Sequence, residues 1–138
     1  MGNRAVLTFG TKENYLNNVG IYLHWNGGPK SVQAFLTYCK FKDYRTDDYG
    51  IARLAQVIGN YFGGNSSIGI DICQNLDCNN WDNGVYFIKD WEVVDSLYDD
   101  NRRTEDYDVF EFLLTIDRAM PKHDQLGADV IAAKWKEE

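Results

Sequence analysis

The stretch VGIYLHWNGGPKSVQAFLTYCKF, residues 19–41, decides the fold class of this chain. In its first seven residues Ile21, Leu23 and Trp25 fall on one face and Tyr22 and His24 on the other. That is the period of two of a half-buried strand. Asn26-Gly27-Gly28-Pro29 then stops the strand and starts a helix, because proline suits a first helical turn, where its missing N–H costs nothing. From Pro29 to Phe41 the apolar residues Val32, Phe35, Leu36 and Cys39 recur at i, i+3, i+4 and i+7. One helical stripe therefore faces a core.

Working outward, residues 4 to 9 read as a strand, and an Asn-rich polar turn over 14–18 joins it to the strand at 19–25 as a hairpin. Beyond the helix, a polar connector (42–48) ends on Asp47 and Asp48, either of which can cap a second helix through a carboxylate-to-N–H bond. Ile51, Leu54, Ala55, Ile58, Tyr61 and Phe62 hold the helical period there, and Gly63-Gly64 ends it. Ser66 to Ile72 alternates Ile68, Ile70 and Ile72 against Ser67, Gly69 and Asp71, which predicts a third strand. A loop over 73–81 leads to Asp82-Asn83-Gly84, a tight-turn signal. Strands are expected over 85–90 and 91–98, a surface loop over 99–103, and helices over 105–120 and 121–134.

The elements come in groups (β-β-α-α-β-β-β-α-α) and not in strict alternation, which predicts an α+β fold. The expectation is a single domain spanning 1–138, with an antiparallel sheet of about five strands and about four helices packed mainly on one face. Val6, Ile21, Leu23, Phe35, Leu36, Leu54, Ile58, Ile70, Phe87, Phe112 and Ile116 occupy the apolar phases of their elements and are the expected core.

At 138 residues, 44 % apolar and 14 % aromatic, the chain is long and apolar enough to bury a core and is not a disordered tail. No apolar run approaches the roughly 20 residues of a membrane span. The N-terminal MGNRAVLTFGTKEN lacks an apolar secretory region, so the chain is expected to be cytoplasmic. Three cysteines are too few for a disulfide scaffold, and reduced thiols are the simplest expectation.

Charge is divided unevenly. Residues 1–69 hold seven Lys and Arg against four acids, whereas residues 70–138 hold seven against seventeen, within an overall net charge of −7. That balance disfavours direct nucleic-acid binding and a membrane surface, because both polyanions are held by Lys and Arg. It permits an acidic surface that meets a basic groove on another protein. Asp106, Asp108, Glu111 and Asp117 are expected outside the apolar stripe of their helix and, with Asp99 and Asp100, form a continuous negative face.

The chemistry-bearing residues make few patterns. Cys73 and Cys78 flank a turn, but zinc needs a second short-spaced pair that the chain lacks. The acids and amides over 71–83 do not match a calcium loop and serve as turn formers. No nucleophile elbow, phosphate-binding glycine loop or dinucleotide motif is present. Neither a metal nor a cofactor is expected. A conditional ligand site lies at Trp25-Asn26-Gly27-Gly28, where a helix N-terminus attracts anions, Lys30 adds a positive charge and Arg53 approaches from the second helix.

Three stretches, GIYLHWNGGPKSVQAFLTYC (20–39), YGIARLAQVIGNYFGG (49–64) and LDCNNWDNGVYFIKDW (76–91), carry a resemblance. Together they resemble a family of small uncharacterised proteins of Firmicutes, their prophages and other mobile elements. The resemblance implies a bacterial host cell and a phage-borne context, with no functional residue to transfer. A small, acidic, phage-borne protein without a catalytic signature fits a counter-defence role. The expected partner is a host defence protein with a basic surface, for example a CRISPR nuclease. Sequestration of a nucleotide signal at the WNGG turn, and a small enzyme of unassigned reaction, are the alternatives.

Overall fold

The computed structural model describes residues 2–64, 66–97 and 105–138. The chain runs β1 (Ala5–Thr8), β2 (Val19–Leu23), α1 (Pro29–Phe41), α2 (Asp48–Phe62), β3 (Ile68–Ile72), β4 (Val85–Lys89), β5 (Glu92–Leu97), α3 (Val109–Ala119) and α4 (Ala128–Lys136). The architecture is α+β, as the grouping of elements predicts.

The sheet is mixed and not antiparallel throughout. Its order is β3-β2-β1-β4-β5, and β1 pairs with β4 in parallel. The other three pairs are antiparallel. Parallel neighbours cannot be joined by a tight turn. The chain therefore leaves edge strand β3 and crosses back over 73–84 to start β4 beside Val6. Asp82-Asn83-Gly84 is not a hairpin turn: the Asn83 N–H donates to the Arg4 carbonyl (3.0 Å) and the Val6 N–H to that of Gly84 (2.9 Å), leading into the parallel ladder. The β4–β5 hairpin turns instead at Asp90-Trp91, both left-handed (φ 52° and 64°), the backbone a two-residue turn requires for twisted strands. Trp91 is an unusual residue for that region. It is held by burial, by an indole N–H donated to the Tyr44 carbonyl (2.9 Å) and by edge contact with Phe9.

Two cores sandwich the sheet. Ala5, Leu7, Ile21, Leu23, Tyr86 and Ile88 point to the helices and pack with Phe35, Leu36, Leu54, Ile58, Phe112, Leu113, Ile116 and Ile131. On the opposite face Val6, Val85, Phe87 and Cys73 form a smaller cluster, with Tyr15, Tyr22, Leu76 and Cys78 packed against it. The crossover segment thus supplies the lid that a second helical layer would provide elsewhere. The expected core is buried with one exception. Ile70 has the right phase but lies on edge strand β3 and is 57 % exposed.

Helix bounds follow their caps. α1 begins at Pro29, and α2 is capped by the Asp47 side chain, which accepts from the Tyr49 N–H, and ends at left-handed Gly63. α3 begins four residues later than the apolar period suggests, because Asp108 caps it by accepting from the Phe110 and Glu111 N–H groups. The last helix is shorter than expected as well: a 3-10 turn (Lys122–Asp124) and Gly127, at φ 91°, precede α4. No helix among the described residues is long and apolar enough to cross a membrane.

Candidate functional site

The turn before α1 is built by close backbone approach. Asn26 is left-handed (φ 58°), the Gly27 N–H donates to the Asn3 carbonyl (2.8 Å), and the Gly27 carbonyl accepts from the buried Tyr86 hydroxyl (2.9 Å). A Cβ on Gly28 would stand 2.2 Å from the Glu105 carboxyl carbon, so any side chain there would displace that carboxylate.

That carboxylate explains the turn. Glu105, 74 residues away in sequence, accepts from the Ser31 N–H (2.9 Å) on one oxygen. Its other oxygen accepts from the Ser31 hydroxyl (2.9 Å) and the Asn3 amide (3.2 Å). A helix N-terminus attracts an anion because its first N–H groups lack intrahelical partners. Here the anion is the protein's own side chain, and it is buried.

Of the residues expected to hold a ligand, all but Arg53 stand at this turn. Gly27 and Gly28 are buried against protein atoms, while Lys30 is exposed. Trp25 is 41 % exposed and meets the His24 ring edge-on. The Asn26 amide reaches the Ser31 hydroxyl at 3.4 Å. Arg53 does not approach the turn; its guanidinium donates to the Tyr49 carbonyl and lies 5.9 Å from the Tyr44 and Tyr49 rings.

The acidic face is smaller than expected. Asp106, Asp108 and Glu111 are exposed at the start of α3, and Asp108 also caps that helix. Asp99 and Asp100 lie outside the described residues. Asp117 is not on the face: it is 3 % exposed and points inward. Its carboxylate accepts from the Tyr38 hydroxyl (2.5 Å) and from the Leu126 and Gly127 N–H groups (2.8 and 2.9 Å). Burial and that carboxylate raise the Tyr38 phenol above its ordinary pKa. Asp117 follows Leu113 by four positions, and Gly127 lies downstream. This placement at the margin of the apolar stripe was the signal available for its inward role.

Of the acids and amides of 77–83, Asn80, Asp82 and Asn83 also turn inward, whereas Asp77 and Asn79 are exposed. Asp82 is buried and accepts from the Arg4 side chain (2.7 Å) and the Arg4 N–H (3.0 Å). That hydrogen bond is the main cause raising the Arg4 pKa. Asn80 accepts from the Asp82 and Gly84 N–H groups and donates to the Asp77 and Gly84 carbonyls. Among the described residues no group of three or more His, Cys, Asp and Glu is placed to hold a metal ion.

Open space lies elsewhere. A cavity of about 570 Å³ opens near the C-terminal ends of β1 and β4, bordered by Phe9, Lys12, Thr46, Lys89 and Asp95. Lys12 and Asp95 pair across it at 3.0 Å. One of about 320 Å³ lies between α1 and β5, lined by Gln33, Tyr86, Trp91 and Val93. No family model, curated protein or solved structure matches this chain.

Proposed function

We propose that this protein is a non-catalytic binding protein that captures a basic surface of a host defence protein, such as a CRISPR nuclease, on behalf of a phage or mobile element in a bacterial cell. The observation that carries the reading is the exposure of Asp106, Asp108 and Glu111 together at the start of α3. They stand in the half of the chain where seventeen acids face seven Lys and Arg. An exposed negative face steers a basic partner over about 8–10 Å at physiological salt and speeds its encounter. The nucleotide-sequestering alternative loses support at the α1 N-terminus, because Glu105 holds the place a phosphate would take.

The test replaces Asp106 and Glu111 by lysine and spares Asp108, whose cap would confound the result. Parent and D106K/E111K proteins are compared in association kinetics with the purified defence protein that the parent inhibits. The reading expects association to slow by about tenfold or more, with a weaker dependence on salt. Equal rates and equal inhibition would make the acids a solubility device. A nucleotide that raises the melting temperature of the parent would instead restore the sequestration reading.

A further inference from the structure

Cys73 and Cys78 are free thiols on the crossover that covers the helix-free face of the sheet. Cys73 opens a 3-10 turn, its carbonyl accepting from the Leu76 N–H at 3.0 Å, and the Cys78 N–H donates to the Leu76 carbonyl at 2.9 Å. These two bonds fold the chain back so that the Cys78 thiol donates to the Cys73 carbonyl at 3.3 Å, with both side chains in the same small cluster. The Cys73 sulfur is fully buried and sits over Gly20 of β2, where an added Cβ would be only 2.7 Å from it. Cys78 is half-buried and lines a cavity of about 220 Å³ with Tyr15, Asn80, Gly84 and Leu97. One thiol of the pair is therefore reachable and the other shielded behind it.

We propose that Cys73 and Cys78 form a reversible two-electron thiol site whose co-substrate is a small soluble disulfide admitted at the Cys78 cavity. The thiolate of Cys78 attacks one sulfur of the small disulfide; that S–S bond breaks and one small thiolate leaves. Cys73 then attacks the Cys78 sulfur, the Cys73–Cys78 bond forms, and the second small thiolate leaves. The two cysteines lose two electrons, the small disulfide gains them, and the two cysteine protons end on the two released thiols. The hydrogen bond from Cys78 lowers the Cys73 thiol below its ordinary pKa. The same interaction raises the Cys78 thiol above its ordinary pKa, so Cys78 becomes the attacking thiolate by passing its proton to the Cys73 sulfur. Cytosolic disulfides of this kind are transient ones.

Cys39 supplies an internal control, because it is buried in the helical core, apart from this pair. The folded protein is incubated with oxidised glutathione, free thiols are then alkylated, and peptides are weighed. The expected product is a 73–78 peptide short of two hydrogens, with Cys39 reduced and unalkylated before denaturation, and with dithiothreitol restoring the original mass. Cys78→Ser should leave Cys73 unmodified, and Cys73→Ser should trap Cys78 as a mixed disulfide with glutathione. A glutathione adduct that persists on Cys78 in the parent would overturn the proposal. Reaction of Cys73 at the parental rate in C78S would overturn it too, as would any cross-link to Cys39. Should either variant expose Cys39, the parent measurement alone decides: a paired peptide formed while Cys39 stays unreactive supports the site, and its absence refutes it.

Discussion

Glu105 and Asp117 show what a single carboxylate does when it is turned inward. Each is buried, and each accepts three hydrogen bonds from donors that would otherwise need water. Glu105 satisfies the start of α1, and Asp117 ties α3 to α1 through Tyr38 and holds the turn before α4 through two backbone amides. Removing such an acceptor leaves buried donors unsatisfied, which costs more than the bond itself contributes. Asp117→Ala should therefore destabilise the fold by about 2–4 kcal/mol, whereas Asp106→Ala, at an exposed position, should stay within about 0.5 kcal/mol. Denaturant unfolding of the two variants checks the contrast. Similar midpoints for both would mean that the Asp117 bonds are replaced by water.

At the scale of elements, caps set where helices begin. Asp108 starts α3 by accepting from two N–H groups, so Asp108→Ala should cost about 1 kcal/mol, read as a lower denaturation midpoint than that of Asp106→Ala. Asp47 does the same for α2 while its carboxylate pairs with Arg45. The Arg45 guanidinium, and then the Tyr49 N–H, hold the Asp47 carboxyl below its ordinary pKa. A carboxyl lowered in the folded state adds stability above its unfolded pKa and loses that contribution as pH falls through the folded value. Side-chain NMR titration should find Asp47 still ionised below the ordinary carboxylate midpoint. In Arg45→Ala the midpoint should move up towards the ordinary value, and no movement would remove Arg45 as the cause. The β4–β5 turn illustrates a different control, since Asp90-Trp91 takes left-handed backbone although neither residue is glycine. The buried Trp91 ring, fixed to Phe9 and Tyr44, keeps it there.

Across the whole molecule, the sheet separates a large helical core from a small one roofed by the crossover loop. Cys39 lies in the large core, and burial pushes its thiol well above the ordinary pKa. A thiol that is both shielded and protonated reacts only when the core opens. Alkylation of Cys39 near neutral pH should therefore proceed at a rate set by global unfolding and rise with denaturant in step with it. A fast, denaturant-independent rate would mean that α1 opens locally. The charge of the molecule is arranged by the same division of labour. Glu105 and Asp117 serve the interior, and Asp106, Asp108 and Glu111 stay outside, on the face we propose meets a basic partner.

The sequence by itself determined the elements whose signals are local. α1 runs from Pro29 to Phe41 as its stripe predicts, α2 starts at its Asp47 cap and stops at Gly63, and β2 alternates inward Ile21 and Leu23 against Tyr22. Those features depend on neighbours a few residues apart, so period and capping chemistry are enough to read them. Tertiary structure alone decided the parallel pairing of β1 with β4, which made the tight turn at Asp82-Asn83-Gly84 the entry to a ladder. It also left Ile70 exposed, because alternation states which face a side chain takes and not whether anything covers that face at a sheet edge. The candidate site was the least legible part. Whether an acid belongs to the surface or to a helix N-terminus depends on donors far away in sequence: 74 residues separate Glu105 from Ser31, and 79 separate Asp117 from Tyr38. A buried carboxylate is stable only where folding delivers such donors, and no local pattern records where the chain will place them.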